Sequence, residues 1–274
     1  MTAYHMHLVS DATGETVNSV ARACLVQFEG VEPIEHIWTL IRTKGQMEKV
    51  LTKIGENPGA VLYTIVNDKL RPVLLHGCRR LGVPCISVLD PVIHGLAAYF
   101  NAEISGRPGL QHVLDADYFH RIDAMAYTQA HDDGQLGGDL KLADVILLGV
   151  SRTSKTPTCM YLANRGIKAA NVPIVPGCPL PEELFNLSHP LVVGLVTDPV
   201  RLVQIRRNRL LMISQHDSET EYTDLERVRE EVAFARKLFA ANGWLVIDIT
   251  RRSIEETAAT ILQHYAEHRN EEAP

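Results

Sequence analysis

The chain has 274 residues, 46% of them hydrophobic and 22% charged, with a formal net charge of −6 at pH 7. That length supports a large buried core in one or two domains, and the dispersed basic residues exclude generic binding to nucleic acid or to an anionic membrane. Five cysteines with no CxxC pair give neither a zinc motif nor a complete disulfide framework, so the expected home is a reducing cytoplasm. No basic region precedes Tyr4-His5-Met6-His7-Leu8-Val9, and no stretch approaches the roughly 18 apolar residues of a membrane span. Neither export nor insertion is expected.

Apolar runs of strand length alternate with helical patterns along the whole chain, the signature of an α/β protein with a mostly parallel sheet flanked by helices. Strands are predicted at Tyr4 to Val9, Ile34 to Leu40, Ala60 to Val66 and Val83 to Leu89, with helices after Gly14, Thr43, Asn67 and Asp90. These make an N-terminal α/β domain over 1–105. Residues 106–142 read as a connection: a turn at Gly106-Arg107-Pro108-Gly109, a helix from Asp115 to Ala130, and a polar loop opened by His131-Asp132-Asp133-Gly134. The third stretch, 143–274, is the predicted P-loop nucleotide-binding domain. It starts on an apolar strand, Ala143 to Leu148, and continues through strand Leu191 to Thr197 and a helix start at Asp198-Pro199. A long helix from about Tyr222 to Ala241, a strand from Trp244 to Ile249 and a last helix after Ser253 complete it. Ser253 and Glu256 fit a capping box, and the end at Glu271 to Pro274 is expected to fray. No internal repeat is visible.

Gly149-Val150-Ser151-Arg152-Thr153-Ser154-Lys155-Thr156 carries the strongest chemical signal, because it joins an apolar strand to a helix with Pro157 in the first turn. Such a loop aims backbone N–H groups at phosphate, Lys155 reaches phosphate oxygens, the Thr156 hydroxyl can ligate Mg²⁺ and Arg152 can brace oxygens bidentately. The pattern is incomplete: Ser154 stands where a P-loop has its second glycine. A second polar turn, Ser10-Asp11-Ala12-Thr13-Gly14-Glu15-Thr16, follows the first strand. Its Ser10, Thr13 and Thr16 hydroxyls could hold a phosphate or a phosphorylated side chain, with Asp11 positioning a metal or a proton. Ordinary helix capping is the competing explanation. Asp132 or Asp133 could take the proton of a hydroxyl nucleophile or hold Mg²⁺, against the alternative of an exposed turn. Arg201, Arg206, Arg207 and Arg209 could clamp phosphate from one helix, with Arg206 and Arg209 spaced to share a face, or could simply be a solvated face. The histidines show no metal-binding spacing.

Taken together, five ordered motifs resemble one family: Ser10 to Thr16, the His131 to Gly134 loop, Gly149 to Pro157, Ala170-Asn171-Val172-Pro173, and Ser253-Ile254-Glu255-Glu256-Thr257-Ala258. The chain is similar over essentially its full length to the bacterial and plant regulatory proteins of pyruvate, phosphate dikinase and of phosphoenolpyruvate synthase. The resemblance implies a bifunctional serine/threonine kinase and phosphorylase. One reaction moves the β-phosphoryl of ADP to a threonine of the target and releases AMP. The other uses inorganic phosphate to remove it and forms pyrophosphate. By carry-over, Gly149, Val150, Ser151, Arg152, Thr153, Ser154, Lys155 and Thr156 would be the ADP loop, with Mg²⁺ as the expected metal. Thr153-Ser154-Lys155-Thr156 and the amino-terminal Ser-Asp-Ala-Thr-Gly-Glu-Thr both resemble the dikinase-directed branch. The expected partner is therefore pyruvate, phosphate dikinase, with phosphoenolpyruvate synthase as the alternative target. Another P-loop enzyme and a nucleotide-sensing protein without catalysis are the rival classes. A homodimer is expected by analogy with the dimeric target enzymes.

Overall fold

The protein's structure, a computed structural model, describes residues 4–110, 116–133, 140–212 and 221–272. Asp115, Gly134 and the last two residues, 273–274, of the sequence expectations lie outside them. The chain folds as two compact units, Met1–Val113 and Leu114–Pro274.

The first unit carries a parallel sheet of β1 (His5–Ser10), β2 (Ile34–Trp38), β3 (Ala60–Thr64) and β4 (Cys85–Ser87) in the order β2-β1-β3-β4. Its helices are α1 (Glu15–Leu25), α2 (Lys44–Glu56), α3 (Arg71–Leu81) and α4 (Asp90–Phe100). β1 is apolar on both faces because both are covered, which is how strands of a parallel sheet usually read. Val9, Val61 and Tyr63 pack with Met47, Ile54 and Leu74 of α2 and α3, while Met6 and Leu8 pack with Val17 and Ala21 of α1. A capping box starts α2: the Thr43 hydroxyl accepts from Gln46 N, and the Gln46 side chain accepts from Thr43 N. By contrast, α4 buries none of its side chains despite its apolar composition.

The second unit repeats the plan. β5 (Val145–Gly149), β6 (Ala169–Pro173), β7 (Leu191–Val196) and β8 (Leu245–Asp248) are parallel in the order β6-β5-β7-β8. With them go α5 (Ala116–Ala130), α6 (Lys155–Ala163), α7 (Pro199–Met212), α8 (Leu225–Ala241) and α9 (Ile254–Glu272). Ile146, Leu148 and Val196 face Leu202, Val228, Val232 and Phe239 of α7 and α8. On the other side Val145 and Leu147 meet Cys159 and Leu162 of α6 and Ile261 and Tyr265 of α9. The predicted capping box at Ser253 is present, with Ser253 N donating to Glu256 Oε2 at 2.8 Å and Glu256 N donating to Ser253 Oγ at 3.1 Å.

Strands 1 to 4 and 5 to 8 share one order without a repeat in the sequence. One sequence expectation needs correction. β6 is missing from the sequence prediction, since Ala-Ala-Asn-Val-Pro lacks the branched-aliphatic run that marks a strand. It forms as the sheet's edge, where Pro173 costs no ladder hydrogen bond.

In both units the order reverses between the first and third strands, so the crevice at a topological switch point opens at the C-terminal ends of β1 and β3, and of β5 and β7. The two polar turns singled out in the sequence follow β1 and β5.

Candidate functional site

The loop after β5 is shaped by contacts with its own backbone. Gly149 is forced by space: a Cβ there would lie 2.6 Å from Thr153 Oγ1 and 2.8 Å from Leu195 O. Thr153 is buried and its hydroxyl donates to Val150 O at 2.9 Å, tying the loop back on itself. Arg152 and Ser154 adopt φ of 72° and 56°, the left-handed region that glycine enters freely. The backbone at 154 therefore takes a path open to glycine although the residue is serine. Ser154 follows it at a steric cost of about 1–3 kcal/mol typical of such residues. As N-cap of α6, Ser154 makes no side-chain cap bond, which leaves first-turn amides of α6 available to an anion.

Lys155 is only 5% exposed, and its Nζ donates to Val150 O at 3.1 Å. Burial lowers its pKa to about 8, opposed by the negative charges of Asp133 and Asp132. Thr156 Oγ1 donates to Asp132 Oδ1 at 2.9 Å, and Asn171 Nδ2 donates to the same oxygen at 2.6 Å and to Thr156 Oγ1 at 3.0 Å. Asn171 Oδ1 is buried with no partner among the described residues. Two oxygens, Asp132 Oδ1 and the Oγ1 of Thr156, next in sequence to the lysine, thus meet at the Asn171 amide nitrogen, hard donors of the kind that fit Mg²⁺. Asp133, in contrast, is exposed and left-handed at φ 51°. His131 is stacked on Tyr127 at 3.9 Å and its Nδ1 donates to Tyr127 O at 2.8 Å, so the imidazole serves the C-terminal end of α5.

The structure brings Asp132 against Thr156, close enough for its charge to act on Lys155, and adds Asn171. Sequence reasoning quoted Asn171 without giving it a role. The available signal was a lone amide in an otherwise apolar strand, since a buried amide is kept only where it has partners.

Arg206 does not belong to a phosphate clamp. It is 1% exposed and faces inward, whereas Arg201, Arg207 and Arg209 are exposed, so Arg206 and Arg209 do not share a face. Its Nη2 donates to Glu231 Oε2 at 2.6 Å and to Ser151 O at 3.3 Å, and its Nη1 donates to Tyr222 O at 3.0 Å. The guanidinium also lies over the Tyr222 ring at 4.5 Å, and the Tyr222 hydroxyl meets Ser151 Oγ and Arg152 Nε, each at 3.2 Å. Arg206 therefore braces the loop after β5 at Ser151. Glu231→Ala is expected to destabilise the fold by about 3–5 kcal/mol, because it strands a buried guanidinium. Urea unfolding measures this, and a loss below about 1 kcal/mol would show that the pair is not a brace.

Ser10, Asp11, Thr13 and Thr16 belong to the other unit. Ser10, Asp11 and half-buried Thr16 line a cavity of about 260 Å³ with Thr64 and Arg107. Thr13 is exposed. Asp11 is 1% exposed, and its Oδ2 accepts from Val66 N at 2.8 Å and from Asn67 N at 3.1 Å. Burial raises its pKa, against those two hydrogen bonds and the Arg42 charge. One carboxylate oxygen is thus committed to holding the chain after β3. Asp11→Ala is expected to cost about 2–3 kcal/mol by orphaning two backbone N–H groups, and Asp11→Asn, whose Oδ1 still accepts, to cost much less. Thermal unfolding of the two variants checks this; equal losses would mean the hydrogen bonds are not what matters.

No helix among the described residues is long and apolar enough to cross a membrane. The five cysteines, all described, are free thiols. Residues 6–262 match a family described as kinase/pyrophosphorylase. The chain is 58% identical over 268 residues to a protein of Paramagnetospirillum magneticum, covering 98% of this chain and 86% of that relative. It is 56% identical over 261 residues to one of Caulobacter vibrioides, covering 95% and 82%, and 53% identical over 262 residues to one of Rhizorhabdus wittichii, covering 96% and 95%. Each of the three carries the provisional name pyruvate, phosphate dikinase regulatory protein.

Proposed function

The chain belongs to the kinase/pyrophosphorylase family, and from that premise we propose that it regulates pyruvate, phosphate dikinase in the cytoplasm by two opposing phosphoryl transfers. One moves the β-phosphoryl of ADP to a dikinase threonine and releases AMP. The other uses inorganic phosphate to restore the threonine and forms pyrophosphate. The observation that carries this reading is the buried Lys155 on a preshaped loop beside the Thr156, Asp132 and Asn171 cluster.

Phosphoryl transfer asks mainly for positioning and charge neutralisation. The loop N–H groups and Lys155 hold the phosphates, and Arg152 braces the oxygens of the moving group. Thr156 and Asp132 would hold Mg²⁺, which supplies further charge neutralisation on the phosphates. Asp132 is then occupied, since its Oδ1 already serves two donors. Asp133 is the exposed carboxylate of the pair and the negative charge that acts most strongly on Lys155. It takes the threonine proton in the forward direction and returns it to the departing threonine oxygen in the reverse one.

Ser10 and Thr16, with Arg107, offer phosphate-compatible donors in the first unit, a place for inorganic phosphate or a phosphorylated side chain. Thr13 completes the hydroxyl set of that turn.

The test is transfer of label from the β-phosphate of ADP to a threonine of purified dikinase, with phosphoenolpyruvate synthase offered in parallel. Label on dikinase alone is expected. Label taken only from the γ-phosphate of ATP, or reaching no protein, would overturn the reading, and label on the synthase alone would move the target.

A further inference from the structure

The arginines outside the phosphate loop form a second pattern. Past the C-terminal ends of β7 and β8 an open groove of about 670 Å³ is lined by Arg229, Arg236, Arg251 and Arg252. Asp198 and Asp248 are the only carboxylates among its lining residues. The groove continues to the loop: Arg252 also lines an adjoining cavity of about 60 Å³ with Arg152, Ser154 and Arg201, and no carboxylate lines that one. In a chain of net charge −6, this is a local excess of positive charge running outward from the place where a phosphoryl group would be held.

Only part of that charge is neutralised within the chain. Arg236 pairs with Asp248 at 3.1 Å and Arg229 pairs with Glu226, while Arg252 donates to Thr260 Oγ1 at 2.9 Å. The side chains of Arg201 and Arg251 have no hydrogen bond or ion pair among the described residues. All of the basic groups are arginines, whose planar fork matches carboxylate and phosphate oxygens bidentately. The walls carry no aromatic side chain, so they offer nothing on which a nucleic-acid base would stack. Pro199, Val232 and Ala233 supply apolar surface instead.

We propose that this arginine groove docks an anionic segment of the protein substrate, laying it alongside the phosphate loop. The assignment rests on the phosphotransferase reading above and adds where the protein substrate is held. An enzyme that phosphorylates a protein must hold chain on at least one side of the reacting hydroxyl. A groove that begins at the phosphate loop meets that need, and rim charges of this kind act mainly on encounter and affinity.

The test uses the full chain carrying Arg229→Glu and Arg251→Glu, two exposed residues outside the phosphate loop. Binding of purified dikinase to the immobilised protein is measured at low and high salt, and ADP binding is measured separately by calorimetry. The expected result is a dikinase dissociation constant raised by about tenfold or more, with a weakened salt dependence. ADP affinity stays within about twofold, because the loop is untouched. Dikinase binding equal to that of the unaltered protein overturns the proposal, as does an equal loss of ADP affinity, which would make the groove part of the nucleotide site. If the unaltered protein binds dikinase through the groove but transfers no label, the phosphotransferase reading fails while the docking assignment stands.

Discussion

Lys155→Met is expected to lose both transfer reactions and, at the same time, to make the fold more stable. The catalytic loss follows from removing the one ammonium that points into the loop; deleting a single preorganised donor to developing charge typically costs about 10²–10³-fold in kcat. The stability gain follows from burial. The Lys155 pKa falls from 10.5 to about 8 on folding. Between those values the unfolded chain binds more protons than the folded one, so stability rises with pH across that window. Below about pH 8 the cost of burying the ammonium is present in full, on the order of 3 kcal/mol, and methionine removes it. Unfolding curves at pH 7 and pH 10 and kinetic assays in both directions check the two halves: the stability gap between the two proteins should narrow at the higher pH. In the unaltered protein, ADP affinity should weaken as pH rises past 8, by up to about tenfold per unit for one proton. A variant that kept turnover, or one less stable than the parent at pH 7, would contradict the assignment.

The second large effect separates two adjacent carboxylates. Asp133→Asn is expected to lower single-turnover rates in both directions by about 10²–10⁴-fold, the usual contribution of a positioned general base, without changing the metal requirement. Asp132→Asn should leave the fold intact, because an amide oxygen can still accept from Thr156 and Asn171, but should raise the Mg²⁺ concentration needed for half-maximal rate. Magnesium titrations of both variants, run in both directions, decide the matter. If Asp132→Asn lost the proton-transfer step and Asp133→Asn shifted the magnesium curve, the roles would have to be exchanged.

The sequence disclosed most of the architecture because parallel strands covered on both faces are continuous apolar runs, as in Val145-Ile146-Leu147-Leu148. It hid β6 because an edge strand can be built from alanine, asparagine and proline when its neighbours supply the packing. The repeated strand order was equally invisible, since a topology needs only a pattern of apolar runs and no shared residues. Within the site, spacing brought out Lys155 and Thr156, while leaving the acidic pair equally readable as an exposed turn until the family resemblance was added. It could not show that Asp132 is committed to Thr156 while Asp133 is exposed, because that depends on where β6 places Asn171. Nor could it tell Arg206 from its neighbours on α7: the pattern of arginines along a helix does not say which one turns inward to meet Glu231.

The left-handed residues on either side of Thr153 have a consequence for how this loop could have changed over time. Glycine at 154 would be the easier residue for the backbone there, so selection for stability alone would favour glycine at that position. Ser154→Gly therefore relieves backbone strain at the start of α6, and the melting temperature of that variant should rise while the path of the loop stays the same.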